Sequence, residues 1–179
     1  EYKTAAKAFQ NVGAPWVGTM SFDTAGRSMM GVTATDMVAM VEGIENRPIA
    51  FGANCGVGAS DLLRTLIGFG KANPTLPIIS KGNAGIPKYV HGHIHYDGTP
   101  ELMGEYAVLA RDAGARIIGG CCGTLPEHLV AMKAALESNP RGEVPKLDVI
   151  SSKLGGFSSK SDGLDGATVP KRQNRRRSS

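Results

Sequence analysis

Short runs of β-forming residues alternate with stretches of helical periodicity along most of the chain. The runs occupy residues 16–22, 49–54, 76–80 and 115–118, and each precedes a helical stretch. Repetition of strand and helix indicates a parallel sheet, because parallel neighbours need a long crossover connection. The strands start roughly 30 to 40 residues apart, as in the βα units of a TIM barrel or an open doubly wound sheet. No Gly-x-Gly-x-x-Gly motif follows the first strand, which argues against a dinucleotide-binding fold.

Signals for helix starts follow three of these strands. Ser60 precedes an apolar stretch, Thr99 precedes a Pro-Glu pair, and Thr124 begins the Thr-x-x-Glu pattern of a capping box. A further helix is predicted over residues 1–11, ended by Gly13. Apolar residues at helical spacing predict the faces that turn toward the core: Met37, Val38, Val41 and Ile44; Leu62, Leu63, Leu66 and Ile67; Leu129, Met132, Ala135 and Leu136.

The positive charge of the chain is concentrated at its carboxyl end. Of the 20 Lys and Arg residues, seven lie from Ser151 onward beside two acidic residues, whereas the preceding part has thirteen basic and fourteen acidic residues. Because the chain before Ser151 is nearly neutral, we do not expect a specific nucleic-acid-binding fold. The basic tail would make only weak, salt-sensitive contacts with nucleic acid. Residues 141–179 hold few apolar groups to offset the entropy of ordering, so we predict a disordered tail after a folded domain of residues 1–140.

The number of cysteines indicates the cellular compartment in which the protein works. Three cysteines cannot all pair with one another, and a chain of 179 residues can form a core without disulfide staples. A reducing compartment, the cytoplasm, and a thiol or metal role fit this composition better than secretion does. No apolar run reaches the length of about 18 residues that a membrane-spanning helix needs, so no membrane partner is expected.

The cysteines stand where two of the predicted strands end. Cys55 ends the run FGANC, and Cys121 and Cys122 end the run IIGGCC. The carboxyl ends of parallel strands lie on one face, where the active sites of βα proteins are built. Neighbouring residues of a regular strand point to opposite faces, so the chain must turn at the doublet, and the adjacent glycines permit that turn.

Three thiols from two strand ends suit zinc, which is bound by thiolate sulfur and in a catalytic site keeps one coordination position open. Two other interpretations remain open on spacing alone: buried thiols without a ligand, and redox chemistry through a disulfide between the adjacent cysteines. His91, His93 and His95 alternate as strand residues do, but their segment is rich in Gly and Asp. We therefore predict a solvated loop there rather than a metal site.

Four segments carry the signature of a known family. They are GANCGVG with Cys55, GNAGIP with Asn83, YDGTPE at 96–101, and GGCCGTLPEHL with Cys121 and Cys122. Together they resemble the homocysteine S-methyltransferase family, the zinc-dependent thiol methylases, over about residues 16–136. The resemblance implies an α/β fold that is the C-terminal half of a TIM (β/α)8 barrel, with about four βα units.

The resemblance also implies a site and a reaction. Cys55, Cys121 and Cys122 would bind Zn²⁺, and the thiol of homocysteine would take the open position. The thiolate would then displace a methyl group from a donor and become methionine. Betaine is the first expectation for the donor, with S-methylmethionine or a methylcorrinoid as alternatives.

Four further residues are candidates for substrate binding. Asn83 ends the strand between the two cysteine-bearing strands, where it would line the substrate pocket or act as a temporary fourth ligand. A role in the NAGIP turn is the alternative. Ser21, Asp23 and Thr24 lie in the loop after the first strand, where they would bind the polar end of the amino acid.

The sequence holds no counterpart of the N-terminal half of such a barrel. A half barrel would expose two strand edges, which proteins normally avoid. We therefore expect a piece of a longer protein, or a chain stable only with a partner, which would be the missing half or a second copy. The alternative function is a non-catalytic zinc-binding or thiol redox-sensing module.

Overall fold

The computed structural model describes residues 1–86 and 88–161. Their helices and strands, in chain order, are α1 (Tyr2–Val12), β1 (Val17–Met20), α2 (Ala34–Gly43), β2 (Ala50–Asn54), α3 (Ala59–Lys71), β3 (Ile78–Gly82), β4 (Lys88–Val90), β5 (His93–His95), α4 (Pro100–Asp112), β6 (Ala115–Gly120), α5 (Pro126–Ser138) and α6 (Leu147–Leu154). The four strands predicted from the sequence are thereby confirmed as β1, β2, β3 and β6. None of these helices is long and apolar enough to cross a membrane.

The four predicted strands form one parallel sheet in the order β1-β2-β3-β6. Each strand except β6 leads through a helix to the next, so the predicted α/β class with a parallel sheet is confirmed. All four strands run in one direction, so the chain leaves β2 and β6 at the same edge of the sheet. This edge carries all three cysteines.

Helices cover one face of the sheet and form the core with it. Phe51 of β2 is fully buried against Phe69 of α3, at a ring-centroid distance of 5.2 Å. Tyr106 of α4 lies under β3, where its hydroxyl shares a 2.5 Å hydrogen bond with Ser80 and accepts one from the Gly82 amide at 2.9 Å. These contacts hold β2 and β3 against α3 and α4.

The helix starts differ in part from the predictions. Thr99 caps α4 as predicted, accepting a hydrogen bond from the Leu102 amide. Ser60 was expected to cap α3, but the helix begins at Ala59 with Gly58 as its cap. The Ser60 hydroxyl instead donates to the Gly155 carbonyl at 2.6 Å, because the C-terminal segment lies over this helix.

The predicted disordered tail is wrong for residues 141–161. Helix α6 packs against α3 and α4, and its Ile150 is fully buried. The segment after α6 is fixed by a buried ion pair of α3, in which Arg64 bonds Asp61 at 2.7 Å. Arg64 also donates to the Ser159 carbonyl, and Asp61 accepts from the Ser158 amide. The remainder of the predicted tail, residues 162–179, lies outside the described residues.

The histidine-rich segment is not the loop that was predicted. Strands β4 and β5 pair as an antiparallel hairpin with a turn at His91 and Gly92. The prediction that its histidines are solvated is confirmed, since every residue of both strands is exposed. The hairpin stands beside the carboxyl edge of the parallel sheet, in the connection from β3 to α4.

Candidate metal centre

The three cysteines converge at the carboxyl edge of the sheet. Their Sγ atoms all lie within 4.8 Å of one another, and those of Cys55 and Cys122 are 3.5 Å apart. Cys55 and Cys121 are half-buried, whereas Cys122 is exposed. Among the described residues this is the one group of three or more ligating side chains compact enough to hold a metal ion.

Cys55 reaches the cluster through an unusual backbone conformation. It has a φ of 59° and is followed by Gly56 with a φ of 78°. The left-handed region is unfavourable for a residue with a side chain, and such strain is concentrated at functional sites. The Cys55 amide donates to the Lys81 carbonyl of β3 at 2.9 Å, so the sheet ladder continues up to the residue that turns.

The doublet leaves β6 through a tight turn, as the sequence predicted. The Cys121 amide still continues the ladder by donating to the Gly82 carbonyl at 2.8 Å. Its carbonyl then accepts from the Thr124 amide at 3.2 Å, and Gly123 has a φ of 74°. Because the chain reverses here, two adjacent side chains reach the same cluster.

Asn83 joins the two cysteine-bearing turns. Its side chain is only 1% exposed, its Nδ2 donates to the Gly56 carbonyl at 3.0 Å, and its Oδ1 accepts from the Cys122 amide at 3.2 Å. Both ends of the amide are therefore engaged with backbone. The side chain holds the turn after Cys55 at a set distance from the turn that contains Cys122.

The loop after β1 borders the same site. The Phe22 carbonyl lies 3.9 Å from the position that a Cβ would take on Gly56. Ser21 is half-buried, whereas Asp23 and Thr24 are exposed and share a 3.2 Å hydrogen bond from the Thr24 hydroxyl. Their role in substrate binding stays a prediction.

Two residues near the cysteines had no predicted role. A hydrogen-bond interaction with the Tyr96 side chain helps to lower the pKa of Cys122, and His128 of α5 is 5% exposed and shares a 2.9 Å hydrogen bond with the Gly98 carbonyl. Tyr96 lies in the YDGTPE segment and His128 in GGCCGTLPEHL. Their position within those motifs was the one sequence signal that could have marked them as functional. Their contacts cross between separate loops, which spacing along the chain does not reveal.

His128 also replaces the capping box that was predicted for Thr124 and Glu127. Helix α5 begins at Pro126, and the Leu125 amide donates to Nδ1 of His128 at 2.9 Å. The imidazole satisfies the Leu125 amide at the helix start, one residue after the Thr124 amide that the Glu127 carboxylate was expected to take. His128 thus connects the start of α5 to the loop that carries Tyr96.

Comparison with known proteins places this site in a family. The family model for homocysteine S-methyltransferases matches residues 1–136, which contain all three cysteines. The chain belongs to the homocysteine S-methyltransferase family. The match also contains Asn83, Tyr96 and His128.

Solved structures show the same fold. The homocysteine methyltransferase MmuM from Escherichia coli in its oxidized form is 24% identical, with a TM-score of 0.57, covering 74% of this chain and 40% of that one. Its apo form is 23% identical, with a TM-score of 0.59, covering 75% of this chain and 45% of that one. This chain therefore spans less than half the length of either MmuM structure.

The electrostatics of the three-cysteine cluster favour a bound cation. Burial, reinforced by hydrogen bonds with the other two thiols, raises the pKa of Cys55 to about 11. Hydrogen bonds from Cys55 and then Tyr96 lower the pKa of Cys122. The pKa values of Cys55 and Cys122 thus move in opposite directions, and full ionisation of the cluster is opposed by repulsion between thiolates a few ångströms apart. A thiophilic dication would offset this repulsion, so the donor set fits zinc.

Proposed function

We propose that this chain provides the thiol-activating part of a zinc-dependent homocysteine S-methyltransferase. The observation that carries the proposal is the convergence of Cys55, Cys121 and Cys122 within the residues that match the family. The reaction is transfer of a methyl group from betaine, or a related donor, to homocysteine. The product is methionine.

The proposed metal ligands are Cys55, Cys121 and Cys122. Three thiolates are a set that selects zinc over hard cations such as Mg²⁺. When bound, zinc would supply the Lewis acidity that keeps a substrate thiol ionised near neutral pH. Reduced thiols at such a site fit the cytoplasm as the compartment.

The chain's own side chains organise the site for this reaction. Asn83 holds the two cysteine turns together, and the exposure of Cys122 leaves that side of the cluster accessible to substrate. Ser21, Asp23 and Thr24 lie in the loop whose Phe22 carbonyl approaches Gly56, and they would bind the amino or carboxyl group of homocysteine. In the transfer, a sulfur electron pair forms the new S–CH₃ bond while the donor keeps the electron pair of the bond that breaks.

The sheet supports the proposal that the chain is one half of a TIM barrel. Among the described residues, β1 and β6 each pair with a single strand, and Val17 and Ile117 on them are 52% and 47% exposed. Unpaired edges with exposed apolar residues call for a further set of strands. An N-terminal half of the barrel would supply them and would hold the donor pocket, with a second copy of the chain as the other candidate.

A redox function is the second candidate, and one distance favours it. The 3.5 Å contact between the Cys55 and Cys122 sulfurs would allow a disulfide on loss of two electrons and two protons to an oxidant such as hydrogen peroxide. The sequence had suggested Cys121 and Cys122 for this bond. Zinc analysis separates the candidates, because a redox sensor keeps its thiols free of metal.

Methionine formation by protein that contains this chain is the deciding experiment. Homocysteine is supplied with betaine, S-methylmethionine or methylcobalamin in turn, and methionine is measured by mass spectrometry. We expect one bound zinc per chain, methionine with one of the donors, and loss of both in Cys122→Ser. Methyl transfer that survives Cys122→Ser at an unchanged rate would refute the proposal.

A further inference from the structure

Tyr96 is fixed between the hairpin and the turn of the cysteine doublet. It follows the last residue of β5, and the pair Lys88 and Asp97 closes the hairpin beside it. The next residues are tied to the site, since the Gly98 amide donates to the Ala84 carbonyl at 2.9 Å. The buried His128 holds the Gly98 carbonyl from the other side. The backbone that carries Tyr96 is therefore anchored on both sides.

The ring of Tyr96 lies directly on Gly123. A Cβ built on Gly123 would lie 2.5 Å from Cβ and 2.8 Å from Cδ2 of Tyr96, closer than real Cβ contacts come. The ring thus occupies the space in which any other residue at position 123 would place its side chain. Glycine is needed here for two reasons, the φ of 74° and the close approach of this ring.

The side chain of Tyr96 interacts with the most exposed of the three thiols. Cys122 is exposed, its sulfur lies 3.5 Å from that of Cys55, and a hydrogen-bond interaction with the Tyr96 side chain helps to lower its pKa. An exposed side chain with free rotation about χ1 gives a poorly defined ligand. A hydrogen-bond partner besides Cys55 restricts that rotation and helps to hold the sulfur in the cluster.

We propose that Tyr96 is a positioning residue of the thiol site, whose ring supports the turn at Gly123 and whose hydroxyl holds the sulfur of Cys122 in place. The inference rests on the proposed function for its link to zinc. A hydrogen bond to a metal-bound thiolate also withdraws charge from it, so Tyr96 adjusts how strongly the site binds its metal. Tyr96 acts through Cys122 and takes no part in bond making.

The metal test compares two tyrosines of the same segment. Tyr96→Phe keeps the ring on Gly123 and removes only the hydroxyl, while Tyr89→Phe removes a hydroxyl from a residue that is 78% exposed. We expect Tyr96→Phe to weaken zinc binding about 10-fold in chelator competition and to move the sulfur-to-cobalt charge-transfer band of the Co²⁺ form. Tyr89→Phe should change neither. A zinc affinity and a cobalt spectrum unchanged in Tyr96→Phe would overturn the proposal, because a packing role alone is preserved in that variant.

A second test needs no metal, so it separates this inference from the proposed function. The chain has 4 tyrosines, so ¹³Cζ labelling gives four NMR signals, and Tyr96→Phe identifies the one that belongs to Tyr96. In the reduced, metal-free protein we expect this signal to shift in Cys122→Ala and to stay in place in Cys121→Ala. A signal that is unaffected by Cys122→Ala, or that responds equally to both changes, would reject the hydrogen bond. A protein that binds no zinc but shows the selective shift would refute the zinc enzyme and leave the Tyr96 contact standing.

Discussion

The sulfur atoms of Cys55 and Cys122 lie 3.5 Å apart, although 67 positions separate the two residues along the chain. An ion held by both cysteines would link the β2 turn to the β6 turn only in the folded state. Binding to the folded state alone stabilises it by about 4 kcal/mol at a metal concentration 1,000 times the dissociation constant. Zinc should therefore raise the unfolding temperature, measured by circular dichroism, and a chelator should reverse the gain. Cys55→Ser should abolish this response, while His93→Ala, in the exposed hairpin, should retain it.

Replacing Asn83 by alanine should loosen both cysteine turns. The change removes the only side-chain partner of the Gly56 carbonyl and the Cys122 amide among the described residues. Leaving buried polar groups unpaired costs about 1–3 kcal/mol each, so we expect the free energy of unfolding in urea to fall by about 2 kcal/mol and zinc affinity to fall with it. Asn11→Ala, at an exposed position of α1, is the matched control and should stay within about 0.5 kcal/mol. Equal effects of the two substitutions would contradict the bridging role.

Alanine at Gly123 should be worse than alanine at another left-handed glycine. Gly13 has a φ of 63° and no atom within 4 Å of its Cβ position, so Gly13→Ala measures the backbone penalty alone, about 1 kcal/mol. Gly123→Ala adds the collision with the Tyr96 ring and forces that ring away from the doublet. Urea unfolding should show the larger loss for Gly123→Ala, and zinc titration should show weaker binding in that variant alone. Similar values for the two variants would mean that the ring moves aside freely.

The ion pair under the C-terminal segment should be essential for stability. Asp61→Ala leaves Arg64, whose side chain is 6% exposed, without its partner and also frees the Ser158 amide. Removing one member of a buried pair costs about 3–5 kcal/mol. The control is Lys133→Ala, which breaks an exposed pair with Glu137 and should cost less than about 1 kcal/mol. Limited proteolysis should then cut the Asp61→Ala variant first between α5 and residue 161. Intact protection of this segment would show that its other contacts, such as buried Ile150 and the Ser60–Gly155 bond, suffice to hold it.

The start of α2 should contribute a pH-dependent stability. Hydrogen bonds from the side chain and backbone of Thr33 hold the pKa of Asp36 below its usual value. A carboxyl group whose pKa is lowered by folding adds stability above its unfolded pKa, and that stability is lost as the pH falls through the folded pKa. Asp36→Asn should therefore be less stable than the parent at neutral pH, with the difference shrinking in acid. Unfolding curves between neutral pH and the acid range measure this, and Glu143→Gln corrects for the loss of one exposed negative charge.

Several parts of the site could be read from the sequence because they depend on local pattern. Cys55 and the doublet were placed at one edge, since parallel strands that end in cysteine must end on the same side of the sheet. The turn at the doublet followed from adjacent thiols flanked by glycines. Tyr96 and His128 could not be assigned, because each acts on a loop that belongs to another strand.

The C-terminal segment shows why local pattern is insufficient. The spacing of Ile150, Leu154 and Phe157 allows a helix to present them on one side. The glycines and serines around them, however, lower the apolar content of the segment to a level typical of disordered chains. Order comes from the surface on which they pack, where Arg64 stacks over the ring of Phe157 at 4.7 Å. That surface exists only once α3 has folded onto the sheet.

By itself, the sequence determined the alternation of strand and helix, the parallel direction of the sheet and the edge at which the thiols meet. All three follow from residue periodicity and from the fact that a crossover helix returns the chain to the same end of the sheet. Only the tertiary structure decided which side chains hold the thiols in place, because the bonds of Asn83, Tyr96 and His128 join loops distant in sequence. The bonds of Asn83 and His128 are about 3 Å long, and only the packing of the whole sheet against its helices sets such distances.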